Sequence, residues 1–164
     1  MSWRGRNRSN SMHKQKVYLE TTMFNYFVEK TKEDNPVTIA FFEAIKSGQY
    51  DGYTSTYAIE EMENAIEPKR TDMLALIDKY QITVLDASEE ADRLAGVYIQ
   101  NGIIPEKKNL DAQHIAIATI HDIGIILSYN FKHINKIKTK TMVPAINQRE
   151  GYLPVIITQP KEVI

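Results

Sequence analysis

The 164-residue chain carries 20 Lys and Arg against 21 Asp and Glu, a net charge of −1, with 43% hydrophobic and 25% charged residues, as expected of a soluble globular protein. It has no cysteine, which excludes disulfides, zinc–thiolate sites and thiol nucleophiles and fits a reducing, cytoplasmic setting. No uninterrupted apolar stretch approaches the ~20 residues of a membrane helix, and the near-zero net charge argues against an overall basic nucleic-acid-binding surface.

The charge is uneven along the chain. Arg4, Arg6 and Arg8 lie in an opening segment without acids, which leaves the remainder with 17 basic against 21 acidic residues, a net −4. Residues 1–14 are expected to be a disordered tail and residues 15–164 one domain. Three readings of the tail stay open: a basic arm for RNA, a mis-assigned start and an appended expression segment. Its arginines have no apolar run behind them, so a secretory signal is not expected.

Lys16 to Glu20 reads as a short strand ending in a carboxylate, with Thr21 and Thr22 as caps for a helix striped by Met23, Phe24, Phe27 and Val28. Asn35-Pro36 starts a helix through Ile39, Phe41, Phe42 and Ile45, and Gly48 ends it. Tyr50 to Thr54 is a second strand. Ser55 or Thr56 caps a helix from Tyr57 to Ile66, which Pro68 terminates. A further helix is expected over Thr71 to Tyr80, then a β-branched strand over Ile82 to Leu85. Ser88 caps a helix running to Gln100, ended by Asn101-Gly102, with a loop from Pro105.

Asn109 to Ile134 (NLDAQHIAIATIHDIGIILSYNFKHI) is the most informative stretch. Asp111 stands at the head of an almost wholly apolar helix, Gly124 stops it, and Ile125 to Ser128 follows as a strand with no polar alternation, as in a strand buried on both sides. A helix over Thr139 to Gln148 and a strand over Val155 to Thr158 finish the chain. Strands alternating with helices imply an α/β fold with a mainly parallel, about five-stranded sheet between two helical layers.

Ligands of such sheets collect beyond the carboxyl ends of the strands. Glu20, Glu60 or Glu61, Asp111 and Asn130 are expected there. Three carboxylates without basic partners repel one another unless a divalent cation neutralises them, and hard oxygen donors suit Mg²⁺ or Mn²⁺. Each residue also has a bland role: Asp111 as a helix cap, Glu60 and Glu61 as first-turn acids, Glu20 as a surface acid, Asn130 as a turn residue. His114, three residues after Asp111 on the same helix face, reads as a wall or supporting residue, and His121 and His133 as packing or capping ones. No GxGxxG, GxxxxGK[ST], GxSxG or HExxH motif is present, so no dinucleotide fingerprint, P-loop, hydrolase elbow or zincin helix is supported.

Three segments, KVYLETTMFNYF, YTSTYAIEEMENA and the Asp111 stretch, with the closing GYLPVIITQP, resemble PIN-domain ribonucleases, the group that includes VapC toxins. The resemblance covers about residues 16–164. It implies a PIN-like three-layer α/β/α sandwich and a metal-dependent endoribonuclease using Mg²⁺ or Mn²⁺, the toxin of a toxin–antitoxin pair. RNA as substrate, an antitoxin protein as partner and a homodimer go with it. By position, Glu20, Glu61 (Glu60 as fallback) and Asp111 match catalytic metal ligands. Asn130 stands where many members have a fourth aspartate, and Thr21 and Ser128 match hydroxyl positions that steady the site. Glu20 in place of Asp lengthens that ligand by a methylene, and Asn130 removes a charge. The alternative implied is a catalytically degenerate domain that binds RNA or protein without cutting. Lys107, Lys108, Lys132, Lys136, Lys138 and Lys140 flank the expected site as a local basic rim.

Overall fold

The computed structural model describes residues 14–164; the tail expected over residues 1–14 lies, except for Lys14, outside the described residues. Five strands, β1 (Gln15–Leu19), β2 (Tyr50–Ser55), β3 (Thr83–Leu85), β4 (Ile125–Leu127) and β5 (Ile156–Thr158), form one all-parallel sheet in the order β3-β2-β1-β4-β5. Helices α1 (Thr21–Val28), α2 (Asn35–Lys46), α3 (Thr56–Glu63), α4 (Lys69–Lys79), α5 (Glu89–Gln100), α6 (Asn109–Ile120) and α7 (Ile137–Arg149) connect and cover it. None of these helices is long and apolar enough to cross a membrane.

Both sheet faces are buried, and the alternation of side chains along β1 shows it. Val17 and Leu19 pack with Leu127, Phe24, Phe42 and Leu76 in one apolar cluster. Tyr18 between them packs the other way, with Ile126, Leu94, Ile115 and Val143. Two apolar layers on one sheet make the three-layer α/β/α sandwich expected from the sequence. α6 is apolar on nearly every side because it is buried on nearly every side: all of Ala112 to Thr119 except Gln113 is buried.

β1 is central. The chain leaves it first for β2 and β3 on one side, then for β4 and β5 on the other, so the strand order reverses between β1 and β4. A cleft opens at such a switch point, outside the carboxyl ends of the two strands. Val17, Tyr18 and Leu19 pair with Ile125, Ile126 and Leu127, which places the residues following both strands at one edge.

Several local expectations are corrected. The cap of α1 is Glu20 rather than Thr21 or Thr22; its carboxylate accepts from the Thr22 backbone N–H at 3.2 Å. Ser55 occupies the cap position of α3 without a side-chain cap bond, because its hydroxyl is turned to Tyr18. α3 stops at Glu63, well before Pro68, and Pro68 is the cap position of α4. Glu67 binds the Thr71 N–H at 2.9 Å there and draws α4 two residues further upstream than expected. α6 ends at Ile120 without Gly124: Asp122 takes the left-handed conformation (φ 57°) and Ile123 N–H reaches back to Ala118 O at 3.0 Å, a closing turn that Asp tolerates better than most residues. A short 3₁₀ turn, Glu106–Lys108, fills the loop expected after Pro105.

Candidate metal centre

Glu20 follows β1, Glu61 lies in α3, Asp111 in the first turn of α6, and Asn130 two residues beyond Ser128 after β4. All four line one open cleft of about 540 Å³, together with Thr21, Lys108, Lys132 and His133. Glu20 is only 2% exposed and so is not a surface acid; Asp111, 8% exposed, lies in the first turn of α6, whose cap position is Lys108. Glu60 is exposed and lies outside this cleft, in an adjoining hollow.

Each carboxylate is tied down by one oxygen. Glu20 Oε1 accepts from Thr22 Oγ1 at 2.5 Å and from Ser128 Oγ at 2.7 Å. The Thr22 hydroxyl in turn accepts from Tyr129 N–H at 2.7 Å, which locks α1 to the end of β4. Glu61 Oε1 accepts from His114 Nε2 at 2.6 Å and from the Thr21 hydroxyl. Asp111 Oδ1 accepts from Asn130 Nδ2 at 3.2 Å. The second oxygen of each carboxylate has no protein donor among the described residues. No fully buried side-chain N or O atom there lacks a partner, so those second oxygens keep contact with the cleft.

The electrostatics depart from the sequence expectation in one respect. Three carboxylates without a basic partner were expected, yet His114 is sunk among them, fully buried and within 2.6 Å of Glu61. Burial alone would lower the His114 pKa; the Glu61 hydrogen bond and the charges of Glu20, Glu61 and Asp111 outweigh it and raise the value. Burial pushes Glu20 and Asp111 upward against the opposing pull of His114. Burial pushes Glu61 the same way, but the His114 hydrogen bond and charge win and lower it.

Glu20, Glu61 and His114 each bring a donor atom within 4.8 Å of the others. Both imidazole nitrogens are spent, one on Glu61 and one on the Tyr18 hydroxyl at 2.6 Å. The oxygens left over are carboxylate oxygens, a hard donor set that suits Mg²⁺ or Mn²⁺. Glu20 and Glu61 therefore suit a divalent cation, and Asp111 lines the same cleft but lies outside the group of donor atoms that come within 4.8 Å of one another. Asn130 is a neutral residue of the same cleft: its Oδ1 accepts from His133 N–H at 3.1 Å and its amide nitrogen donates to Asp111.

Of the lysines expected around the site, Lys108 and Lys132 line the cleft, Lys107 borders the adjoining hollow, and Lys136 and Lys138 line a groove beyond His133. Lys69 and His133 were missed as cleft residues. No periodicity marks Lys69, which begins α4 and lines the cleft. His133 is in the wall rather than a packing residue, and His121 is the exposed C-cap of α6.

An all-parallel sheet of order 3-2-1-4-5 between helical layers, with carboxylates at its switch point, is a VapC-like PIN fold. Among solved structures, the sarcin–ricin-loop-cleaving toxin VapC20 of Mycobacterium tuberculosis superposes over 85% of this chain and 98% of its own, with a TM-score of 0.52 at 8% identity. VapBC2 of Rickettsia felis, bound to a fragment of its promoter DNA, matches over 88% and 98% at TM-score 0.55 and 14% identity. DNA-bound VapBC of Salmonella typhimurium matches over 87% and 98% at 0.51 and 16%. No family profile and no curated protein sequence matches the chain.

Proposed function

We propose that the protein is a metal-dependent endoribonuclease, the toxin partner of a VapBC-type pair. The observation that carries this reading is the convergence of Glu20, Glu61 and Asp111 at the switch point of the sheet, each with one oxygen anchored and one facing the cleft. These three residues would hold Mg²⁺ or Mn²⁺. Bound there, such a cation would supply Lewis-acid activation of water and charge neutralisation at a phosphate. Ser128 and Thr22 keep Glu20 in position, and Asn130 keeps Asp111 in position. Lys69, Lys108 and Lys132 on the cleft wall attract the phosphate backbone, a local basic rim on a chain whose net charge beyond the tail is negative. A cytoplasmic location, a protein antitoxin and a homodimer go with this reading; the structural neighbours in VapBC complexes support the antitoxin.

The test is cleavage of tRNA, rRNA and mRNA by purified, antitoxin-free protein in Mn²⁺ and in chelator. Cleavage that requires the cation supports the reading, and no cleavage of any substrate defeats it.

A second reading has its own observation. Asn130 adds no charge, and its amide is already committed to His133 N–H through Oδ1 and to Asp111 through Nδ2. A degenerate domain that grips RNA or protein without cutting would show no Mg²⁺ or Mn²⁺ binding by calorimetry at millimolar concentration, whereas the nuclease binds.

A further inference from the structure

We propose that His114 is a positioning residue: held by Tyr18, which is held by Ser55, it fixes Glu61 for cation binding. The proposal rests on the reading of the cleft as a divalent-cation site. Ser55 ends β2, Tyr18 lies in β1, His114 in α6 and Glu61 in α3, so four elements meet in one chain of hydrogen bonds. Ser55 Oγ lies 2.7 Å from the Tyr18 hydroxyl, that hydroxyl 2.6 Å from His114 Nδ1, and His114 Nε2 2.6 Å from Glu61 Oε1.

Ser55, Tyr18 and His114 are all 0% exposed. None of them touches a substrate in the cleft, so any part they play runs through Glu61. A buried polar chain carries a desolvation cost that an apolar trio of similar volume would avoid. A satisfied core histidine would explain the burial and the bonds. It does not explain where the chain ends, which is a carboxylate oxygen of the cleft.

The direction of the chain supplies the role. The imidazole is tethered at both nitrogens, so turning the ring breaks two bonds at once. Glu61 is a long side chain on an eight-residue helix, and ordering it on ligation costs conformational entropy. With Oε1 committed to His114 and Thr21, that ordering is complete before a cation arrives and Oε2 is the oxygen presented. Groups that orient a ligating side chain in this manner set metal affinity and activity about as strongly as some ligands do.

The experiment measures Mn²⁺ affinity by electron paramagnetic resonance of the free ion, with kcat and KM on RNA and thermal unfolding alongside. Tyr18→Phe removes one hydroxyl and keeps the ring. His114→Ala removes the tether, and His114→Gln restores a nitrogen donor near the position of Nε2. Affinity is expected to fall roughly 10- to 100-fold in His114→Ala, less in Tyr18→Phe, and to recover largely in His114→Gln, with kcat reduced and KM unchanged. Wild-type protein that binds Mn²⁺ while His114→Ala and Tyr18→Phe bind equally well overturns the proposal and leaves the cation site standing. Wild-type protein that binds no Mn²⁺ overturns the site reading and the proposal with it. If His114→Ala does not fold, Tyr18→Phe decides, and unchanged affinity there is the overturning result.

Discussion

At the carboxyl ends of β1 and β4 acidic side chains are sunk and tied down, whereas at the amino ends of β1, β2 and β3 basic side chains stand loosely around a cavity of similar size. The amino-end cavity, about 500 Å³, is lined by Lys14, Lys46, Lys79, Tyr50, Tyr80 and Gln81. Lys14 meets Asp51 at 3.8 Å, and Lys46 and Lys79 rest 5.9 and 5.4 Å from the centre of the Tyr80 ring. Such exposed contacts contribute about 0–1 kcal/mol. In the carboxyl-end cleft, by contrast, Glu20 alone accepts three hydrogen bonds at 2% exposure. Concavity is common to both ends; anchorage of charged groups against their own desolvation distinguishes one, and that supports reading it as the functional end.

The largest effect is expected at Asp111. Asp111→Asn is expected to lower RNA cleavage at least ~100-fold, about 2.7 kcal/mol of barrier, in a single-turnover assay. Because burial already disfavours the ionised carboxyl, the same substitution should leave the melting temperature of metal-free protein unchanged or slightly higher. A variant that loses activity only by unfolding would erase the contrast between the two ends.

Ser128→Ala removes the 2.7 Å bond to Glu20 and the hydroxyl that accepts from Asn130 N–H at 2.9 Å. The expected loss is about 1–3 kcal/mol, read as roughly 2–4 °C of melting temperature for each kcal/mol, with weaker Mn²⁺ binding. Full stability in this variant would mean that Glu20 is not held by Ser128.

The pH dependence of metal-free protein sharpens the picture further. His114 is raised above its ordinary 6.5, so its contribution is fully present below pH 6.5 and is lost as pH rises through the folded-state value. Glu20 and Asp111, raised above 4.5 and 3.8, act with the same sign at lower pH. Glu61, lowered below 4.5, contributes above that value and loses its part as pH falls through the folded one. The His114 contribution to the melting temperature should therefore decline as pH rises beyond about 6.5, with His133, lowered below its ordinary value, acting in the opposite sense, and the decline should flatten in His114→Gln. A rising curve over that window would contradict the assignment.

The smallest effect is expected at the other end of the sheet. Lys46→Ala and Lys79→Ala should each change stability by no more than about 0.5 kcal/mol and leave cleavage as it was. A large loss of cleavage in either would show that the amino-end cavity is functional after all.

The sheet and the Asp111 helix were legible because their signals are physical and local: β-branched runs of strand length, and a helix so apolar that it must be buried. The same helix held a second signal that was underused. A histidine at position 114 between Gln113 and Ile115, on a helix with no solvent face, has to find buried partners, and a carboxylate and a tyrosine hydroxyl are what it finds. Other features rest on contacts between residues far apart in sequence. Glu20 caps α1 with the same oxygen that Ser128 binds 108 positions later, and Lys69 reaches the cleft only because Glu67 recruits the start of α4. The orientation of the Asn130 amide was likewise invisible, since it depends on the His133 N–H and on Asp111 together.

Glu20, Glu61 and Asp111 are proposed to hold a divalent cation at the switch point, and anomalous scattering from crystals soaked in MnCl₂ is the deciding measurement. A peak is expected among the second oxygens of these three carboxylates, and it should vanish in Asp111→Asn. A peak that persists unchanged in that variant, or none in the wild-type cleft at millimolar Mn²⁺, would contradict the proposal.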